Sequence, residues 1–349
     1  FMGEIIKERN YRYDALRGIC MFLIVLQHFT FKGGYEFTGN TGNLIYVGID
    51  IFVMQAFFFL SGMFSKNPGK NRDKLFGSLL WPVIIVGIVF WPLVAYYYGL
   101  DKAAEMFQAG RLPYAMWFLV VLFVYKFFQK FYVKIPHLPA IALGIYLLSG
   151  IFEPLSSSGF AVSRMCTFFF PFVAGYYMTI ERVEKLRLRS VWQIVLLGAV
   201  LCSITVLAVC FCPENIAEAI KLKASFSATH MSIAEGILFR AALLAVSFGW
   251  ILFLLSILSA KQGFWAHIGM NTMPIYIFHM LFVLVFKVKG FTFGYFDFKG
   301  YEWLYLICLL VISFAVTALL SGKPAQKAYS LLIDKSYAAV NRLSPAEAR

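Results

Sequence analysis

Apolar runs recur along this chain at a length that dictates where it can fold. Stretches such as VWQIVLLGAVLCSITVLAVCF (191–211) hold roughly eighteen or more residues with few charges, the length an α-helix needs to cross the hydrocarbon core of a bilayer. A segment in lipid must satisfy its own backbone polar groups, so these runs form helices. The chain is 60% hydrophobic and 14% charged over 349 residues, whereas soluble domains carry about 25% charged residues. The pattern predicts an all-α polytopic membrane protein, a bundle of about ten transmembrane helices. They are placed at 15–33, 44–64, 75–98, 114–133, 138–152, 163–180, 190–212, 235–258, 269–288 and 302–321. No soluble domain of useful size and no tandem repeat is visible.

The net charge of +13 does not indicate nucleic acid, because the basic residues sit in short segments between spans, where they set orientation. Lys7, Arg9, Arg12 and Arg17, then Lys66, Lys70, Arg72 and Lys74, then Lys126, Lys130 and Lys134, then Arg182, Lys185, Arg187 and Arg189 fall on one side. That side is read as the cytoplasm, with both termini on it. The tail from Lys323 opens with Pro324 and alternates apolar and basic faces, which predicts a helix on the inner membrane surface. Phe1 before Met2 reads as a cloning remnant. No cleavable signal peptide is visible, and the first span is expected to act as the anchor. Cys20, Cys166, Cys202, Cys210, Cys212 and Cys308 lie in or beside apolar runs and read as small core residues, not as a disulfide or metal framework. There is no zinc-ligand spacing and no glycine-rich phosphate loop.

The first span begins NYRYDALRGICMFLIVLQHF (10–29). Arg17 and His28 are eleven positions apart, so they share one helix face and lie about 16 Å apart along its axis. Asp14 precedes Arg17 by one turn, and Gly18 allows another backbone or a ligand to come close. An arginine fork at a membrane edge suits phosphate oxygens, and a neutral imidazole at mid-membrane can take a proton from a hydroxyl. The plainer alternative pairs Arg17 with Asp14 as an anchor and makes His28 a packing residue.

DALRGICMFLIVLQHF resembles the opening of the membrane-bound acyltransferase-3 family, marked by an arginine, ten residues and a histidine. FVMQAFFFLSGMF (52–64) is similar to that family's phenylalanine-rich segment, and WFLVVLFVYKF (117–127) to its Trp-Phe-Leu helix start. RMCTFFFPFVAGYY (164–177) resembles the fucose 4-O-acetylase-like branch, and IGMNTMPIYIFHMLFV (268–283) the Asn-Thr-x-x-Ile-Tyr-x-x-His block. The resemblance implies an acyltransferase-3-like transmembrane domain over 2–322 and a cytoplasmic tail over 323–349. It implies acyl transfer, usually acetyl, from cytoplasmic acyl-coenzyme A to a hydroxyl of an extracytoplasmic glycan or lipid-linked sugar, in a bacterial cytoplasmic membrane. His28 would then be catalytic, as a general base or as an acylated intermediate. Arg17, with Asp14 and Trp117, would hold the acetyl-CoA donor; Trp117 also fits an interfacial belt.

The remaining buried polar residues are Asp50, Arg164, Glu235, Arg240, Asn271, Tyr276 and His279. They are read as acceptor-binding candidates lining a polar vestibule, with at least one ion pair among Asp50, Arg164, Glu235 and Arg240. Pairing of these charges solely to hold the bundle is the structural alternative. His279 is a candidate second catalytic base, with orienting its neighbours or packing against Tyr276 and the first helix as the favoured reading. Pro82, Pro92, Pro171 and Pro274 are expected to kink their helices. A transporter or flippase of a lipid-linked sugar is the alternative function, but such proteins tend to show paired interrupted helices in matched halves, and no such symmetry is apparent.

Overall fold

The computed structural model describes residues 9–32, 47–67, 72–112, 115–152, 161–211, 214–288 and 302–343. Among them there is no strand. The helices are α1 (Arg12–Lys32), α2 (Val53–Met63), α3 (Trp81–Tyr98), α4 (Leu100–Gln108), α5 (Trp117–Tyr132), α6 (Leu138–Leu148), α7 (Val162–Tyr177), α8 (Ile180–Leu186), α9 (Val191–Phe211), α10 (Glu214–Ile220), α11 (Ile233–Ile257), α12 (Phe264–Met270), α13 (Thr272–Val288), α14 (Glu302–Leu320), α15 (Lys323–Tyr329) and α16 (Ser336–Leu343). Each of the ten expected spans coincides with a helix; positions 33, 44–46, 114 and 212 at their ends lie outside the described residues. Among the described residues, four segments are long and apolar enough to cross a membrane: Phe76–Tyr96, α9, α11 and Trp303–Leu320. The protein is an integral membrane protein.

Three local features differ from expectation. The second span is interrupted at Ile51 and Phe52, between a helical turn at 47–50 and the start of α2; the Ser247 hydroxyl of α11 donates to the carbonyl of Ile51, satisfying a group the break exposes. The ninth expected span begins in the last turn of a separate helix, α12, whose C-cap is Asn271. The Asn271 amide turns back to the His267 carbonyl at 2.8 Å and so supplies a partner for an orphan carbonyl at the helix end. Pro274 sits in the first turn of α13, where no N–H is needed; Pro82 follows a π-helical turn, Phe76–Leu80, that runs straight into α3, and Pro92 and Pro171 are within helices.

Two helix crossings organise the core, and glycine makes both. A Cβ on Gly18 would overlap the Trp265 carbonyl oxygen, and one on Gly269 that of Asp14, so α1 and α12 touch backbone to backbone. Gly62 stands in the same relation to Phe172, and Gly175 to Phe59, which joins α2 to α7. Small residues allow such approach in a bilayer, where close van der Waals contact replaces the hydrophobic drive. Phe58 of α2 then meets Phe118 at 4.9 Å, Tyr125 at 5.6 Å and Phe168 at 5.0 Å between ring centroids, which ties α5 into this pair. The tail continues from α15 through a π-helical segment, Ser330–Lys335, into α16. It docks on the start of α3, where Trp81 Nε1 donates to Ser336 Oγ at 2.8 Å and Tyr337 packs against Phe76 and Trp81.

Candidate active site

The α1–α12 crossing carries the chain directly into α13, and this brings two histidines together. Nδ1 of His28 lies 2.8 Å from Nε2 of His279. The ring planes are 9° apart with centroids 5.0 Å apart; nitrogens this close cannot belong to face-stacked rings, so the rings meet edge to edge. Nδ1 of His279 lies 2.9 Å from the carbonyl oxygen of Ile275, one turn earlier in α13. A carbonyl only accepts, so Nδ1 of His279 carries a proton. In the neutral pair, Nε2 of His279 is then an acceptor, and Nδ1–H of His28 donates to it. That leaves the lone pair of His28 on Nε2, the arrangement a general base requires. His279 is fully buried and His28 half-buried.

Several expected residues gather around this pair. Gln27, next to His28, donates from Nε2 to Oδ1 of Asp50 at 2.7 Å. The Tyr276 hydroxyl donates to the Ala115 carbonyl, and its ring lies 6.2 Å from that of His279. The guanidinium of Arg164 sits 4.0 Å above the Trp117 ring, a cation–π contact, and is near enough to Asp50 and Tyr276 to sense both electrostatically. At the other end of α1, Arg17 reaches Asp14 at 3.5 Å and lies 5.7 Å from the centroid of the Phe64 ring. Asp14 is shared with Arg9 at 2.8 Å.

Three candidates lie elsewhere. Glu235 is exposed and closes a capping box with Ser232 at the start of α11. Arg240 is buried and donates to the carbonyl of Tyr146 at 2.8 Å and to Ser149 Oγ; its guanidinium lies 5.1 Å from the Phe226 ring centroid. Asn271 caps α12. Among the described residues, no ion pair joins any two of Asp50, Arg164, Glu235 and Arg240. The expected pair is absent because Gln27 takes Asp50, Trp117 takes Arg164, the cap takes Glu235 and neutral oxygens take Arg240.

The model of one family, described as an acyltransferase domain, matches residues 10–322. The chain belongs to the acyltransferase-3 family. As a member it is a membrane acyltransferase, and the matched span contains both ends of the α1 stripe and the histidine pair. No curated protein and no solved structure matches the chain at significance.

In this acyltransferase a second polar cluster lies at the Arg17 end, one that sequence reasoning had treated only as loop charge. Glu184 of α8 accepts from Arg12 at 2.6 Å, Asn10 at 3.0 Å and the Tyr13 hydroxyl at 3.3 Å, and pairs with Arg187 at 3.2 Å. Arg12 and Arg187 reach on to the carbonyls of Leu258 and Ser256, locking α1, α8 and the end of α11 together. Burial opposes ionisation of Glu184, but Arg12, Asn10 and Arg187 outweigh it and hold its pKa below the ordinary value. Lys66 caps the last turn of α7 through the carbonyls of Tyr176 and Met178. Burial lowers its pKa, and the nearby Arg182 lowers it further.

Proposed function

We propose that this acyltransferase is a transmembrane O-acyltransferase, moving an acyl group, acetyl in the first instance, from cytoplasmic acyl-coenzyme A to a hydroxyl of an extracytoplasmic glycan or lipid-linked sugar. The observation that carries it is the geometry of the His28–His279 pair and its Ile275 anchor, from which it follows that Nε2 is the basic nitrogen of His28. In this reading the chain crosses the bacterial plasma membrane about ten times with both termini inside. Arg17 lies at the inner edge and holds the donor's phosphates. His28 lies about 16 Å further out along α1.

Nε2 of His28 takes the proton of the acceptor hydroxyl as its oxygen attacks the thioester carbonyl carbon. The imidazolium formed is shared with His279, whose own Nδ1–H points at the Ile275 carbonyl. The tetrahedral intermediate collapses, the carbon–sulfur bond breaks, and the coenzyme thiolate leaves with the proton from His28. The alternative, in which His28 is itself acylated, uses the same lone pair. Asp50, Arg164, Trp117 and Tyr276 form the polar surface beyond His28 that meets the acceptor, and the likeness of 164–177 to a sugar-acetylating branch favours a sugar hydroxyl there.

Sealed vesicles of known orientation containing the purified protein test this reading. Product is expected only with donor at the cytoplasmic face and acceptor at the opposite face. Equal product with both on the cytoplasmic side would reject the vestibule. Loss of an acetyl-sized mass from surface glycans in cells lacking the protein would identify the acceptor.

A further inference from the structure

Counted by sequence, Lys126 belongs with the basic residues that set orientation. The structure places it within α5, half-buried. Gln129, one turn further along α5, is buried and donates to the carbonyl of Ser65 at 2.8 Å. Ser65 follows Phe64, the residue over whose ring Arg17 lies at 5.7 Å. The end of α2 therefore meets Arg17 of α1 at Phe64 and, at Ser65, the stretch of α5 that carries Lys126 one turn before Gln129. Among the described residues Lys126 has no carboxylate within 4.0 Å, and the acid nearest Arg17, Asp14, already serves Arg9.

A lysine within a membrane span is costly and is retained where something negative meets it. Here an arginine fork and a lysine point charge lie at the end of one helix, and the acid beside the arginine is shared with Arg9. That donor set matches an anion with several oxygens, the fork binding two at once and the ammonium a third. We propose that Lys126 and Arg17 form a two-cation site for the phosphate groups of the acyl-coenzyme A donor, Lys126 reaching them from the α5 wall. The inference rests on the donor reading above.

Calorimetry on the purified full chain tests it, using coenzyme A and the phosphate-free donor S-acetylpantetheine with wild type, Lys126→Gln and Lys126→Arg. Lys126→Gln is expected to weaken coenzyme A binding at least about tenfold, the loss of one charged hydrogen bond. Lys126→Arg is expected to keep most of the affinity, and the difference between wild type and Lys126→Gln is expected to vanish for S-acetylpantetheine. Removing a half-buried lysine that pairs with no described carboxylate should leave the ligand-free melting temperature unchanged or raised; a large drop would mean that Lys126 has a structural partner and would overturn the proposal. Coenzyme A binding by Lys126→Gln within about twofold of wild type, or equal losses with both donors, would overturn it while leaving the donor reading intact. Wild-type protein that binds no coenzyme A would reject the donor reading itself.

Discussion

His28 and His279 are 251 positions apart in sequence and 2.8 Å apart in space, joined in a directional chain that ends on the Ile275 carbonyl. The carbonyl fixes one proton, that proton fixes the tautomer of His279, and His279 fixes the tautomer of His28. The backbone of α13 thus sets which nitrogen of His28 is basic.

His28→Ala is expected to lower kcat by about 10²–10⁴, the range of a lost general base. His279→Ala should lower kcat by a smaller factor, about ten to a hundred, because His28 keeps its imidazole but loses its orientation. Donor affinity should hold in both. Steady-state kinetics with calorimetry separates the two effects, and a pure rise in KM for His279→Ala would contradict the relay.

The glycine crossings predict a sharp contrast among alanine substitutions. Gly62→Ala or Gly175→Ala places a Cβ into a backbone carbonyl and should cost at least about 3 kcal/mol or prevent folding. Gly144, in α6, has nothing within 4 Å of its would-be Cβ, so Gly144→Ala should be neutral or stabilise by up to about 1 kcal/mol. Thermal melting in detergent measures both.

Arg240 and Glu235, about one and a half turns apart on α11, should differ in stability cost. Arg240→Ala removes a buried charged donor from the Tyr146 carbonyl and the Ser149 hydroxyl, which keep only their bond to each other and to Thr167, and should cost about 2–3 kcal/mol. Glu235→Ala removes half of an exposed capping box and should cost no more than about 1 kcal/mol. Melting temperatures of the two variants provide the comparison.

Glu184 predicts an acid-side loss of stability. Its pKa is depressed in the folded protein, so its contribution is fully present above the unfolded value of 4.5 and is lost as pH falls through the lower folded value. Wild type should show this loss in melting temperature below about pH 4.5. Glu184→Gln should be less stable near neutrality by about 2 kcal/mol, with a flatter acid limb. Parallel acid limbs for the two proteins would show that the network does not stabilise the fold.

Much of the candidate site follows from period alone. An α-helix returns to the same face after eleven residues, so Arg17 and His28 share a stripe whatever surrounds α1. Apolar runs place the helices for the same reason, because lipid leaves their backbones no other form. Glu235 carries a signal that could have been read from sequence: Ser232 three positions before it is the capping-box spacing. The break at Ile51 has no such signal, since it depends on Ser247 arriving from α11.

The sequence by itself determined that the chain lies in a membrane, where its helices run, and which residues on each helix face together. Only tertiary structure decided that His28 meets His279, that Arg164 is held by an aromatic ring rather than an acid, and that the α5 turn after Lys126 meets the end of α2 beside Arg17. These depend on which helices are neighbours. Period fixes angles around one axis and says nothing about the next. The neighbours were chosen by two backbone contacts, at Gly18 with Gly269 and at Gly62 with Gly175, where the absence of a side chain lets helices far apart in sequence close to van der Waals distance.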